Sequence, residues 1–330
     1  MSGKPLSSLS HLQLIKLAKK TIIPPLKPHY YKGQLGKVCV VGGCLDYTGA
    51  PYFSAHAAAL FGCDLTHVLC EYNAAQVIKG YTPNLMVHPY LNYKENDKNI
   101  QLIKRMQCVV VGPGLGRRDN TPDNTLDNMY RNVVEIIEYC IDHMIPLILD
   151  ADALYLLSND LEYRDRLCAK LSSNDSSKNT ILTPNIIELK RLLSTYPDLY
   201  KKFSNLVILE KGETDRIKLL HKDGTTTELH NNESGSWKRV GGQGDTLTGV
   251  LATLLSWCNV IENNSSIKVE ADDENDGKLL KDHNEYRLLA CYVASTVVRN
   301  CSKLAYKEHG RSMQTTDLND NVGRVYNEMF

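Results

Sequence analysis

The chain lacks the features that would commit it to a membrane, a nucleic acid or a metal. None of its apolar runs reaches the roughly 20 residues a bilayer-spanning helix needs, and its N-terminus has no signal-peptide core. Lys and Arg total 38, as do Asp and Glu. No basic field therefore recruits nucleic acid or an anionic membrane, and a small-molecule partner is favoured. Ten cysteines occur, but no two form the C-x-x-C pair of a zinc or redox site, so they read as reduced core residues of an intracellular protein. Repeats and proline- or serine-rich linkers are also missing. With 42% of its residues hydrophobic, the chain is expected to build one domain over residues 1–330. Acids are absent from the beginning, where seven lysines precede Asp46. No arginine accompanies them and Pro24-Pro25 interrupts any amphipathic helix. Residues 1–32 are therefore expected to be a solvated, partly helical lead-in of a cytoplasmic protein, with mitochondrial import as the alternative.

What is present is an alternation of short apolar runs and helical patterns. Strands are expected at 37–41, 65–70, 108–111, 146–150, 180–182 and 206–209, each apolar on both faces. That is the mark of parallel strands covered by helices on both sides. Segments 216–220 and 225–229 flank Asp223-Gly224, a hairpin signal, so an antiparallel edge should complete the sheet. Helices are expected at 246–258, 278–300 and after Thr315. Between the first two, 261–277 is rich in Asn and acids and reads as an exposed insert. The fold class is α/β, with a central, mostly parallel sheet and helices on both faces.

One stretch, Val240-Gly241-Gly242-Gln243-Gly244-Asp245, sets an acid behind a glycine cluster. Apolar residues then fall at Leu247, Val250, Leu251, Leu254 and Leu255, one face of a helix. The glycines thus sit at a helix N-terminus, where unpaired N–H groups and the dipole favour an anion such as a nucleotide phosphate. Thr246 and Thr248 would add hydroxyls at the same mouth. Asp245 is a poor phosphate ligand, but it is well placed to take a proton from a hydroxyl attacking phosphorus. The alternative is a plain capped turn with Asp245 as N-cap. Neither G-x-x-x-x-G-K-[ST] nor G-x-G-x-x-G after a strand occurs.

Three further segments should gather at the same sheet edge, because each follows an expected parallel strand. Gly112-Pro113-Gly114-Leu115-Gly116 places bare backbone at a strand end. Asn185 and Glu188, at a strand-to-helix junction, can point the same way, or can form a capping arrangement. Lys211-Gly212-Glu213-Thr214-Asp215 supplies a cation and a glycine suited to covering a nucleotide, or simply surface charge.

Five ordered motifs, "GPGLG", "LDADALYLL", "LTPNIIELKRL", "KGETD" and "VGGQGDTLTG", resemble those of the ATP-dependent NAD(P)H-hydrate dehydratases, a metabolite-repair family with a ribokinase-like fold. The similarity runs from about His11 to the C-terminus and is greatest with fungal members. It implies dehydration of the S epimer of NADH or NADPH hydrated at C6, with ATP giving ADP and phosphate through phosphorylation of the C6 hydroxyl and elimination. By match to the motifs, Gly114 and the run Asn185, Ile186, Ile187, Glu188, Leu189, Lys190 and Arg191 would hold the hydrated dinucleotide. Asp245 would face its hydroxyl as the catalytic base. ATP would lie on Lys211, Gly212, Glu213, Thr214 and Asp215 and on the loop Gly235, Ser236, Trp237, Lys238, Arg239, Val240, Gly241, Gly242, Gln243 and Gly244. Mg2+ would bridge the phosphates, oriented through water by Asp150 and Asp152, although a helix-start role for Asp152 is open. A separate epimerase is implied as pathway partner, and a homo-oligomer is compatible with the helical C-terminal third. The rivals are a small-molecule kinase of the same fold that releases its phosphoester, a regulatory nucleotide-binding protein, and a dehydrogenase. The last is disfavoured because Val40-Val41-Gly42-Gly43-Cys44 lacks the rest of the dinucleotide fingerprint.

Overall fold

The computed structural model describes residues 5–117, 125–173, 176–264, 267, 280 and 282–330. Its strands are β1 (Lys37–Val41), β2 (Leu65–Leu69), β3 (Met86–His88), β4 (Cys108–Val111), β5 (Leu147–Leu149), β6 (Thr180–Leu182), β7 (Val207–Glu210), β8 (Asp215–Leu220) and β9 (Thr226–Asn231). They form one sheet in the order β3-β2-β1-β4-β5-β6-β7-β8-β9. Pairings from β3 through β7 are parallel, and β8 and β9 continue the sheet antiparallel. Val38, Val40 and Val110 enter a core on one face, while Cys39, Val41, Val109 and Val111 enter a second core on the other. β-Branched residues fit such a doubly covered pleat, which is why these runs read as strands.

The first core is closed by α1 (His11–Thr21), α2 (Gly49–Phe61) and α3 (Tyr72–Tyr81), and on the same face by α10 (Gln243–Asn263), α11 (His283–His309), α12 (Thr315–Asp320) and α13 (Val322–Met329). The second core is closed by α4 (Asp97–Ile103), α5 (Thr125–Asp142), α6 (Asp152–Asn159), α7 (Arg164–Ser172), α8 (Ile186–Thr195) and α9 (Leu199–Lys202). β1 pairs with β2 on one side and β4 on the other, so the strand order reverses between β1 and β4. The helix after β1 covers one face and the helix after β4 the other, which leaves a crevice at the strands' carboxyl ends.

Several expectations need correction. β3 has three residues and half-buried ends, too little for a periodicity to show, and it was not foreseen. The lead-in is not solvated: Ser10 and Gln13 form a capping box, and α1 buries Leu14, Leu17 and Ala18 in the first core. Residues 261–263 are not loop but the last turn of α10; 265–266 and 268–277 lie outside the described residues. α11 starts at His283, where the Asp282 carboxylate accepts from the N–H groups of Asn284 and Glu285. All ten cysteines are free and buried.

The thirteen-residue α2 and α10 meet at Gly249. A Cβ there would lie 2.0 Å from the carbonyl oxygen of Ser54. Nearby, Thr248 Oγ1 lies 2.9 Å from Ser54 Oγ, and Thr246 Oγ1 donates to Asn319 Oδ1 at 2.7 Å. Both threonines are fully buried. They fix α10 to α2 and α12 and do not open onto the glycine mouth as the sequence suggested. Gly249→Ala should therefore force the two helices apart and cost about 1–3 kcal/mol. Urea unfolding with an unchanged midpoint would contradict this account of the packing.

Candidate active site

Three neighbouring strands end at this side of the crevice. After β5 comes Asp150, after β6 Thr183 and Asn185, and after β7 Lys211, whose N–H donates to the Pro184 carbonyl at 2.8 Å. Lys211 Nζ donates to Asp150 Oδ1 at 2.7 Å and lies 4.0 Å from Glu188 Oε2. The Thr183 hydroxyl donates to the same Asp150 oxygen at 2.8 Å. Three neighbouring strand ends are thereby tied by one carboxylate. Asn185 Oδ1 accepts from the N–H groups of Ile187 and Glu188, and Glu188 Oε2 accepts from that of Asn185. The capping arrangement is therefore present, and it also aims Glu188 at Lys211.

Asp245 is not an N-cap. Gly242 occupies that place in the left-handed region, with φ 98° and no side-chain cap, and Asp245 is the third residue of α10. Any side chain at 242 would be strained, and its Cβ would also lie 2.8 Å from the Phe53 ring and 2.9 Å from Thr315. The Thr315 hydroxyl donates to the Gly241 carbonyl, so α12 holds the glycine turn from behind. Among the described residues the N–H groups of Gly241, Gly242 and Gly244 have no hydrogen-bond partner. Three backbone donors therefore stand at the positive end of a helix, ready for an anion.

Two clefts meet at this point. The first, about 640 Å³, is lined by Asp46, Tyr47, Thr48, Phe53, Gly114, Gly116, Arg117, Asp152 and Gly241. The second, about 720 Å³, is lined by Asp150, Asn185, Ile186, Ile187, Glu188, Lys211, Gly212, Glu213, Asp215, Arg239, Val240, Gln243, Gly244, Leu247, Ser295, Val298 and Arg299. Ala151, Gly242 and Asp245 belong to both. The residues assigned to the dinucleotide are thus divided, Gly114 on the first cleft and Asn185 to Glu188 on the second, beside residues assigned to ATP. Leu189 packs on the second core, Lys190 lines neither cleft, and the Arg191 guanidinium sits over the Tyr155 ring.

The ATP assignments also sort out. Lys211, Gly212, Glu213, Arg239, Val240, Gln243 and Gly244 line the second cleft. Asp215 is not a free ligand group. It pairs with buried Arg299 at 2.8 Å and accepts from Ser295 Oγ at 2.6 Å and from the Gly212 N–H at 2.9 Å, so its carboxylate holds the loop at the wall of the second cleft. Thr214 donates to Asn232 and lines neither cleft. Gly235 packs against the Ser302 hydroxyl, and the Ser236 N–H donates to it. Trp237 is 90% exposed, and Lys238 donates to the carbonyls of Arg311 and Met313. Asp152 starts α6 and accepts from the Gly116 N–H at 3.0 Å, which supports its helix-start role.

Charge is crowded here. Burial and repulsion from Asp150 push the Asp245 carboxyl up to about 8, against the pull of Lys211. Burial also raises Glu188 and Asp152 above the usual carboxylate range. Burial works against the Lys211 charge, but Asp150 and Glu188 more than offset it and leave its pKa raised. The surplus of acid suits a ligand that arrives with a cation. Among the described residues no three His, Cys, Asp or Glu side chains form a metal cage.

The family model described as NAD(P)H-hydrate dehydratase matches residues 38–324. A Saccharomyces cerevisiae protein named ATP-dependent (S)-NAD(P)H-hydrate dehydratase is 45% identical over 98% of this chain and 99% of its own. The chain belongs to the NAD(P)H-hydrate dehydratase family. A Schizosaccharomyces pombe dehydratase of the same name is 40% identical over 94% of this chain and 91% of its own. Among solved structures, the Bacillus subtilis ADP/ATP-dependent dehydratase co-crystallised with ATP/Mg2+ superposes with a TM-score of 0.59 at 19% identity, covering 96% of this chain and 97% of that one. A Streptococcus mutans protein of unassigned function reaches 0.67 at 22%, covering 95% and 98%. These two likenesses concern the fold, which is ribokinase-like as the motifs implied.

The dehydratase chain carries a cost at Asp245. A folded-state pKa raised above the unfolded value gives stability that is complete below about pH 4 and is lost as pH rises through about 8. Asp245→Asn removes that loss. The variant should match wild type near pH 4 and melt at least about 2 °C higher at pH 8.5. Equal melting temperatures at both pH values would contradict the charge crowding.

Proposed function

We propose that the chain restores NADH and NADPH from their C6-hydrated S epimers, consuming ATP and releasing ADP and phosphate. The observation that carries this reading is the pair of clefts joined at Asp245. One cleft takes the nucleotide and the other the alcohol, so phosphoryl transfer happens across the acid and the glycine donors. The second cleft offers Lys211 for phosphates and an apolar wall of Ile186, Ile187, Val240, Leu247 and Val298 for a base, which suits ATP. The first, with Tyr47, Phe53 and Gly114, then takes the hydrated ring.

Hydroxide is a poor leaving group, so the C6 hydroxyl must be esterified before it can depart. Asp245 accepts the hydroxyl proton as the oxygen attacks the γ-phosphorus; its raised pKa makes it a stronger base than an ordinary carboxylate. The Gly241, Gly242 and Gly244 N–H groups and Lys211 stabilise the charge that grows on the transferred group. Mg2+, arriving with ATP, would neutralise phosphate charge, with Glu188 and Asp150 facing it through water. In the second stage the ring-nitrogen lone pair forms a bond to C6, the C6–O bond breaks and phosphate leaves. Loss of a C5 proton then restores the dihydronicotinamide. A separate epimerase would convert the R epimer into the S form that this site accepts.

The test uses chemically hydrated NADH with purified protein and Mg·ATP, following the return of near-ultraviolet absorbance together with phosphate release. Recovery should require ATP, and Asp245→Asn should lower kcat by about 10²- to 10⁴-fold, roughly 3–5 kcal/mol of barrier. ATP consumption that yields a stable phosphoester would move the function to a small-molecule kinase, and near-normal turnover by the variant would remove Asp245 as base.

A further inference from the structure

Resting on the assignment of the first cleft to the dinucleotide, we propose that Tyr155 is a positioning residue that holds Arg117 and Arg191 as a paired guanidinium clamp for the substrate's pyrophosphate. Tyr155 is the fourth residue of α6 and half-buried. The guanidinium carbon of Arg117 lies 4.6 Å from its ring centroid and that of Arg191 lies 5.3 Å from it. Among the described residues, this ring thus holds two cations from different parts of the chain, the loop after β4 and the helix after β6.

The pair is electrostatically incomplete. Arg117 has a long contact to Asp152, 3.4 Å from Nε to Oδ1, and that carboxylate is shared with the Gly116 N–H. Arg191 forms no ion pair among the described residues, and the acid its charge acts on, Glu188, is shared with Lys211. Stacking on the tyrosine face offsets part of the repulsion between two nearby guanidinium groups. An anion with oxygens on two adjacent phosphorus atoms, reached by both forks, relieves the rest, and guanidinium geometry matches phosphate in a bidentate way. Arg117 lines the cleft that contains Gly114 and Asp152, whereas Lys211 and Gly244 line only the other, which the proposed function gives to ATP. The clamp therefore belongs to the dinucleotide, and its ring is what brings the two arginines to one place.

Full-length protein, chemically hydrated NADH and Mg·ATP provide the test. Tyr155→Leu should raise KM for hydrated NADH about tenfold while kcat and the KM for ATP change less than twofold, and Tyr155→Phe, which keeps the ring, should restore wild-type KM. Arg191→Gln should raise the same KM, and the double variant Tyr155→Leu/Arg191→Gln should be no worse than the poorer single one. NADH shares the pyrophosphate and needs no turnover, so its affinity, followed by fluorescence titration, should fall in parallel. Unchanged KM and NADH affinity in Tyr155→Leu would overturn the clamp, as would a Phe variant as impaired as Leu, or a rise confined to the KM for ATP. Failure of the wild type to turn over would count against the proposed reaction alone, because NADH titration of the same variants still decides the clamp.

Discussion

The ammonium of Lys211, 2.7 Å from the Asp150 carboxylate, joins the carboxyl ends of β7 and β5, and Thr183 adds the end of β6 between them. Breaking such a buried pair by removing one partner typically costs about 3–5 kcal/mol, because it strands the other charge. The pair also sets the electrostatics of everything around it. Burial disfavours the charged form of Asp245 most, Asp150 repels it further and Lys211 attracts it. Charges that keep the sheet edge in register are therefore the charges that prepare an acid for proton transfer. The helix dipole of α10 and its unpaired glycine donors complete the balance by favouring an anion directly in front of that acid.

This arrangement depends on two helices meeting closely. Gly249 lets α10 lie against the Ser54 carbonyl of α2, and Thr248 and Thr246 lock its first turns to α2 and α12. Phe53 then lies close against Gly242, and it lines the first cleft together with Asp245. A shift of α10 by the thickness of a methyl group would move the base away from both clefts, and a displacement of that order is enough to cost catalysis heavily.

Much of this was legible because parallel strands buried on both faces announce themselves as short β-branched runs. The glycine cluster with its acid was equally legible, since a helix N-terminus with small residues has few other uses. What escaped has physical reasons. β3 is a three-residue edge strand with no periodicity to read. Asp215 reads as a free acid at a strand end until Arg299, 84 residues later, arrives beside it on α11. Thr246 and Thr248 look like site hydroxyls, yet helical geometry turns them into the contacts with α2 and α12. The cleft residues Asp46, Tyr47, Thr48 and Phe53 carry no motif of their own, and only the crossover from β1 into α2 brings them opposite Asp245. The twin stacking on Tyr155 joins a loop and two helices that the sequence separates, and no spacing rule reveals it.

The central claim is that oxygen leaves C6 as a phosphate ester, across the acid shared by the two clefts. NADH hydrated in 18O-enriched water carries the label in its C6 hydroxyl, and the released products can be read by mass spectrometry after turnover in ordinary water with unlabelled ATP. The account predicts one 18O atom in each inorganic phosphate formed. Label recovered in solvent, with unlabelled phosphate, would mean that ATP is hydrolysed by water and C6 is dehydrated directly, and it would contradict the role given to Asp245.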